Sequence, residues 1–187
     1  MSKRIFDILI SVLFLMICIF PLLMVAVMIQ ITSKGPAVYW SKRVGRFNKI
    51  FLMPKFRSMQ IDTPQVATHL LKNTEHYITP LGQFIRRTSI DELPQFFSVL
   101  KGDMSLVGPR PALFNQDDLI RLRTEKKIDQ LRPGITGWAQ INGRDDLPIA
   151  VKVQFDEQYL KNHNFLLDLK ILFLTVFKVL KTDGIKH

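Results

Sequence analysis

IFDILISVLFLMICIFPLLMVAVMIQI, residues 5–31, is the stretch on which the architecture turns. From Ile8 to Ser33 it carries no charge, and it is longer than the roughly 20 residues a straight helix needs to cross a bilayer. No cleaved leader is expected, because the run is too long and no small-residue cleavage site precedes Lys34. Pro21 sits in the middle, lacking an N–H and placing its ring against the carbonyl of Ile17, so the helix is expected to kink or break there. Lys3 and Arg4 precede the run, while Lys34, Lys42, Arg43, Arg46 and Lys49 follow it. Basic flanks favour the cytoplasmic side, and a plain single span would violate that preference at one end. A re-entrant hairpin, turning at Pro21 and returning to its face of entry, satisfies it at both.

The 187 residues suit one domain, with no internal repeat and no low-complexity linker. Lys and Arg number 26 against 16 Asp and Glu, a net charge of +10 that favours an acidic partner: phosphate, anionic lipid or nucleic acid. Nucleic acid ranks last, since the basic residues are scattered and no recognised DNA-binding motif occurs. The single cysteine, Cys18, lies in the apolar run, which excludes an intrachain disulfide or a Cys-based metal site.

Beyond Gly35-Pro36, residues 37–44 and 49–53 read as strands joined by Gly45-Arg46-Phe47-Asn48. Lys55-Phe56-Arg57-Ser58-Met59 places two cations and a hydroxyl in one segment, either a site lining or a basic rim near lipid. Residues 62–79 read as a polar loop or short helix, with His69 and His76 as surface residues. Pro80 to Ile85 begins a helix leading to Arg86 and Arg87. Thr88 or Ser89 then caps a second helix that carries Asp91 and Glu92 in its first turn, tolerates Pro94 near its start, and ends near Lys101-Gly102. In residues 102–111, Pro109 and Pro111 hold Arg110 between them, a placement suited to bidentate phosphate recognition. Residues 115–131 read as a scaffold helix. Residues 132–144 read as a glycine-rich ligand loop containing Trp138 and Arg144, without the pattern of a nucleoside triphosphate P-loop. Residues 148–162 form another helix. Residues 165–180 carry an apolar arc too wide for an ordinary surface helix, which fits an interfacial amphipathic helix or a buried core helix.

Paired carboxylates among arginine clusters, on a basic chain with a membrane segment, point to phosphoryl chemistry at a membrane surface. Cations spread the charge on phosphate oxygens, and a carboxylate can attack phosphorus to form an acyl phosphate. No nucleophilic triad is visible, so Asp91 or Glu92 is the nucleophile available. Helix capping by the same two residues is the structural alternative, and a non-catalytic scaffold that binds anionic lipid is the functional one.

Four ordered motifs, Lys55–Met59, Thr88–Gln95, Gly102–Pro111 and Pro133–Gly137, resemble those of the bacterial sugar transferases, the monotopic phosphoglycosyl transferases, in their small form. The resemblance runs from Lys3 to about Leu180. It implies transfer of a sugar 1-phosphate from a UDP-sugar donor to a polyprenyl (undecaprenyl) phosphate acceptor, with release of UMP, as the first membrane step of glycoconjugate biosynthesis. It implies Mg2+ and a two-step covalent mechanism at the cytoplasmic face of the bacterial inner membrane. Asp91 matches the nucleophile and Glu92 its partner in metal placement or proton handling, so both are candidate metal ligands. Arg86 and Arg110 match phosphate- or nucleotide-binding arginines. Lys55 and Arg57 match a basic site-lining segment, and Arg144 is a further candidate for anion binding.

Two departures stand out. Phe20 precedes Pro21 where the family usually has Ser, and Glu75-His76-Tyr77-Ile78-Thr79 replaces an Asp-x-Arg-hydrophobic-Thr run. The expected fold is therefore α+β: a re-entrant membrane helix at residues 1–33 hinged at Pro21, and a cytoplasmic catalytic region at residues 34–187 packed on membrane lipid. The oligomeric state stays open, a homodimer included.

Overall fold

A computed structural model describes residues 3–64, 77–143 and 147–181. In chain order these form α1 (Lys3–Thr32), β1 (Val38–Val44), β2 (Ile50–Phe56), α2 (Pro80–Arg87), α3 (Gln95–Lys101), β3 (Ser105–Val107), α4 (Asp117–Glu125), β4 (Gly134–Thr136), α5 (Trp138–Ile141), α6 (Ile149–Asn162) and α7 (Phe165–Lys181). Mixed helices and small sheets bear out the α+β reading.

The apolar run is one uninterrupted helix, so the break expected at Pro21 is corrected: Pro21 lies inside α1. Packing explains the continuity. Asp7, Ser11, Leu15, Leu22 and Ile29 recur every four or seven residues as a buried stripe, which rests on the rest of the protein both before and after the proline. Each apolar member contributes about 1.5–3 kcal/mol of burial, enough together to hold the path despite one missing hydrogen bond.

Both ends of α1 are tied to the same body. Lys3 pairs with Asp168 of α7, which also accepts from Tyr159 Oη at 2.6 Å, and Arg4 donates to the carbonyls of Val99 (2.6 Å) and Leu100 (2.9 Å) at the end of α3. Asp7 accepts from Ser105 Oγ at 2.8 Å and from the Leu106 amide at 3.3 Å. At the far end Arg57 donates to the carbonyls of Ser33 and Lys34. The two basic flanks of α1 are thus held against one body by a helix that passes through Pro21 without ending. The opposite face of α1 is exposed and apolar, with Phe20 at 75% and Ile31 at 78% accessibility.

β1 and β2 pair antiparallel as expected, Val38 opposite Phe56 and Val44 opposite Ile50, across a 3-10 turn at Arg46–Asn48. β2 runs three residues further than the sequence suggested, so Lys55 sits on a strand. β3 and β4 are a correction: both lay in segments read as loops, yet they form a buried parallel pair, Ser105 opposite Gly134 and Val107 opposite Thr136. Three residues are too few to show a period, and the pair depends on backbone contact. A Cβ added at Gly134 would overlap the Gly108 amide nitrogen, and one at Gly137 would overlap the Gly108 carbonyl.

The helix read over 115–131 ends at Glu125, because Lys127 adopts a left-handed conformation (φ 60°) before a short 3-10 turn. The loop read over 132–144 instead contains β4 and α5. α7 is not a wholly buried core helix: Asp168 and Ile171 face inward while Leu166 and Phe173 are exposed. The main core gathers Phe51, Met53, Val99, Met104, Leu106, Val107, Ile141, Tyr159 and Ile171, so it joins β2, α3, β3, α5, α6 and α7.

Candidate active site at the Asp91–Glu92 turn

α2 is capped at its C-terminus by Thr88, whose amide bonds to the Phe84 carbonyl, while the Ser89 amide bonds to the Arg86 carbonyl. Ser89 then adopts φ 57°, ψ 17°, a left-handed conformation that favours glycine, and makes no capping hydrogen bond. Neither Thr88 nor Ser89 caps the following turn through its side chain, while Asp91 and Glu92 do occupy its first turn, as the capping alternative expects. A 3-10 turn at Ile90–Glu92 follows and leads through Leu93 and Pro94, both in right-handed helical conformation, into α3. Ile90 and Leu93 pack against the apolar cluster of Leu22, Ile29, Phe56 and Ile85, which α1 shares with β2 and α2.

Above that floor the charges meet. Lys55 Nζ, on β2, lies 2.9 Å from Glu92 Oε1 and 3.9 Å from Asp91 Oδ2. Arg110 Nη2 reaches the same Glu92 oxygen at 3.0 Å. Glu92 is thus committed to two cations. Asp91 accepts no hydrogen bond among the described residues, and Lys55 acts on it only through the longer ion pair. Burial pushes the Asp91 carboxyl above its ordinary value. Lys55 opposes that shift, Glu92 adds to it, and Arg86 and Arg110 oppose it more weakly. A carboxylate that is poorly solvated and not hydrogen-bonded is a stronger nucleophile than one held by donors.

The structure brings together Asp91, Glu92, Lys55 and Arg110, with Arg86 near enough to act on Asp91 through its field. Arg57 is directed elsewhere: its guanidinium binds Ser33 Oγ at 2.8 Å and the carbonyls of Ser33, Lys34 and Gly35, clamping the exit from α1. Arg144 lies outside the described residues, as do His69, His76 and Glu75. Among the described residues no three His, Cys, Asp or Glu side chains gather into a metal cage. The adjacent Asp91 and Glu92 carboxylates do offer the hard oxygen donors Mg2+ takes when substrate phosphate and water complete its shell.

Sequence reasoning missed the support behind Arg110. Arg123 donates to the Arg110 carbonyl at 2.8 Å while its Nε and Nη2 bond Asp156 Oδ2 at 3.0 and 2.6 Å, in a nearly fully buried pair. The signal was available: Asp156 falls between Val153 and Tyr159 on the buried side of α6.

A sequence profile of the bacterial sugar transferases matches residues 1–182. This chain belongs to that family. Among its relatives, the uncharacterized sugar transferase EpsL of Bacillus subtilis is 44% identical over 99% of this chain and 90% of its own length. The undecaprenyl-phosphate galactose phosphotransferase of Salmonella typhimurium is 42% identical over 97% of this chain, and the UDP-glucose:undecaprenyl-phosphate glucose-1-phosphate transferase of Escherichia coli is 40% identical over 94%. This bacterial sugar transferase chain spans 41% and 39% of the length of those last two proteins.

Proposed function

We propose that the chain transfers a sugar 1-phosphate from a UDP-sugar to a polyprenyl phosphate, releasing UMP, through a covalent intermediate on Asp91. The observation that carries this reading is the asymmetry of the pair: Glu92 is held by Lys55 and Arg110, whereas Asp91 is buried, accepts no hydrogen bond among the described residues and is raised in pKa. In the first half-reaction an Asp91 oxygen attacks the sugar-linked phosphorus. The bond from phosphorus to UMP breaks and UMP leaves with the electron pair. In the second, an oxygen of the acceptor phosphate attacks the same phosphorus and the Asp91 carboxylate departs. Lys55, Arg86 and Arg110 surround the site with positive charge and stabilise the phosphoryl oxygens. Mg2+ held by Asp91 and Glu92 would supply further neutralisation of the diphosphate.

The names of the relatives support this donor and acceptor. The membrane reading is supported by α1, long and apolar enough to cross a bilayer by length and composition, and by the exposed apolar faces of α1 and α7. Because both ends of α1 are tied to the body, we place α1 in one leaflet at the cytoplasmic face of the inner membrane. Ile90 and Leu93 then seat the Asp91 turn at headgroup depth, where a polyprenyl phosphate keeps its charge.

The test is UMP release from a panel of UDP-sugars, with undecaprenyl phosphate and Mg2+, by the purified protein in detergent or nanodiscs. At least one donor is expected to release UMP in step with glycolipid formation. Silence across the panel, with binding to anionic vesicles retained, would favour the scaffold reading.

A pH prediction follows from the same geometry. Asp91 attacks only when deprotonated, and its pKa is raised, so the acid limb of kcat/KM for UMP release lies above the ordinary carboxylate range. Lys55 is the largest influence pulling that pKa down, so Lys55→Met moves the limb to still higher pH. A limb that stays in place or moves to lower pH would show that Asp91 does not control it.

A further inference from the structure

Lys55 and Arg110 meet on one Glu92 oxygen, at 2.9 and 3.0 Å, yet they reach it from supports of different kinds. Lys55 stands on β2, inside the antiparallel pairing with β1. Arg110 stands between Pro109 and Pro111, neither of which has an N–H to give to a neighbouring strand. Hydrogen bonds to carbonyls hold this segment instead. The Ala112 carbonyl accepts from the Val44 amide at 2.9 Å, beside an antiparallel bridge between Arg43 and Leu113. That ladder is kept from running on to Arg110, because Pro111 has no N–H and the Gly45 amide is turned to the Lys49 carbonyl at 2.8 Å. The Arg43 side chain spans the gap. Its Nη1 donates to the Pro111 carbonyl at 3.2 Å, while its Nε donates at 3.0 Å to Ser41 Oγ, which is buried on the same face of β1. Arg123 then takes the Arg110 carbonyl at 2.8 Å. The consecutive carbonyls of Arg110, Pro111 and Ala112 are thus held in order by Arg123, Arg43 and Val44.

Two of those holds come from β1, and β1 is paired with the strand that carries Lys55, with Tyr39 opposite Lys55 and Arg43 opposite Phe51. The hairpin is therefore one frame for both cations. We propose that Arg43 is a positioning residue of the transfer reaction: through the Pro111 carbonyl it fixes the backbone of Arg110, so that the Arg110 guanidinium meets Glu92 and the donor's phosphate oxygens at a set distance from Lys55. A guanidinium suits this task better than an ammonium, because two nitrogens of one rigid plane bond Ser41 and Pro111 together and remove the freedom a single donor would keep. The inference rests on the reading of Arg110 as a phosphate-binding group given above.

The experiment is a double-mutant cycle on the full chain in nanodiscs, read as kcat/KM for UMP release with the UDP-sugar that the donor panel identifies. Wild type, Arg43→Met, Arg110→Met and the double variant are compared, with Tm recorded for each. Arg43→Met is expected to lower kcat/KM roughly 10- to 100-fold, the scale on which a displaced binding group slows a reaction, chiefly through KM for the donor. In the Arg110→Met background the same substitution is expected to change kcat/KM by less than about twofold, since no guanidinium is left to aim. Arg43→Lys, which keeps the charge without the two-nitrogen hold, is expected to stay impaired. Ser41→Ala leaves Arg43 in place and removes the oxygen that orients it; it is expected to act in the same direction by a smaller factor, and to have no further effect in the Arg110→Met background. Should Arg43→Met fail to fold, the Ser41→Ala arm completes the same cycle. Equal losses in both backgrounds would make Arg43 a merely structural residue, and full activity in Arg43→Lys would reduce its part to charge; either result overturns the assignment. No UMP release by wild type overturns instead the transferase reading on which it rests.

Discussion

Asp91→Asn is expected to abolish both UMP release and glycolipid formation, by about 10^4-fold or more, the scale set by loss of a nucleophile in the proposed covalent mechanism. The amide keeps the shape of the side chain and removes the attacking electron pair. In an incubation without acceptor, wild type and Glu92→Gln are expected to show the mass of a phosphosugar adduct and Asp91→Asn to show none; an adduct in Asp91→Asn would assign the nucleophile elsewhere. Glu92→Gln is slowed rather than silenced, because Lys55 and Arg110 lose the charge that holds them while Asp91 keeps its own.

The same variant carries a stability signature. Burial raises the folded-state pKa of Asp91 above its ordinary 3.8, so between those two values the folded state binds more protons than the unfolded chain. Stability therefore falls as pH rises through that window, and the full penalty is present above it. Asp91→Asn is expected to melt at a higher temperature than wild type near neutrality, and the difference should close as the pH is lowered toward the ordinary carboxylate value. A variant that is less stable at neutral pH would show that Asp91 is a structural anion.

Asp156→Ala is expected to have the second largest effect. It leaves the Arg123 guanidinium buried without its carboxylate, and an uncompensated buried charge costs about 3–5 kcal/mol. Replacing both partners, as in Arg123→Met with Asp156→Leu, recovers most of that loss, since a well-packed apolar pair often matches a buried ion pair. Activity is not recovered in parallel. Arg123 also donates to the Arg110 carbonyl, so the double variant folds with Arg110 less firmly aimed at Glu92. Chemical denaturation and UMP release measured on the same samples check both statements. A single variant within 1 kcal/mol of wild type would mean the pair is hydrated and of little consequence.

The features legible in the sequence were those carried by short-range patterns. An uncharged run of hydrophobic residues located α1, a turn of four residues located the β1–β2 hairpin, and the run from Thr88 to Gln95 located the two carboxylates. The proline-flanked Arg110 and the cation at Lys55 were both singled out, and both sit on Glu92. The parallel β3–β4 pair was not legible, because three-residue strands have no period and their pairing is set by close backbone contact at Gly108 and Gly134. Arg57 was indistinguishable from Lys55 two residues away. Which of the two reaches the carboxylates depends on where α1 ends, and that is a matter of tertiary packing.

By itself, then, the sequence determined the family, the presence of an apolar helix with basic flanks, and the set of groups from which a phosphoryl site could be assembled. Tertiary structure decided that α1 passes unbroken through Pro21, that Glu92 is the restrained carboxylate and Asp91 the available one, and that Arg123 with Asp156 stands behind Arg110. The physical reason is range. Propensity and hydrophobic period act over a few residues, whereas burial and ion pairing join Lys55 to Glu92 across 37 positions and Lys3 to Asp168 across 165.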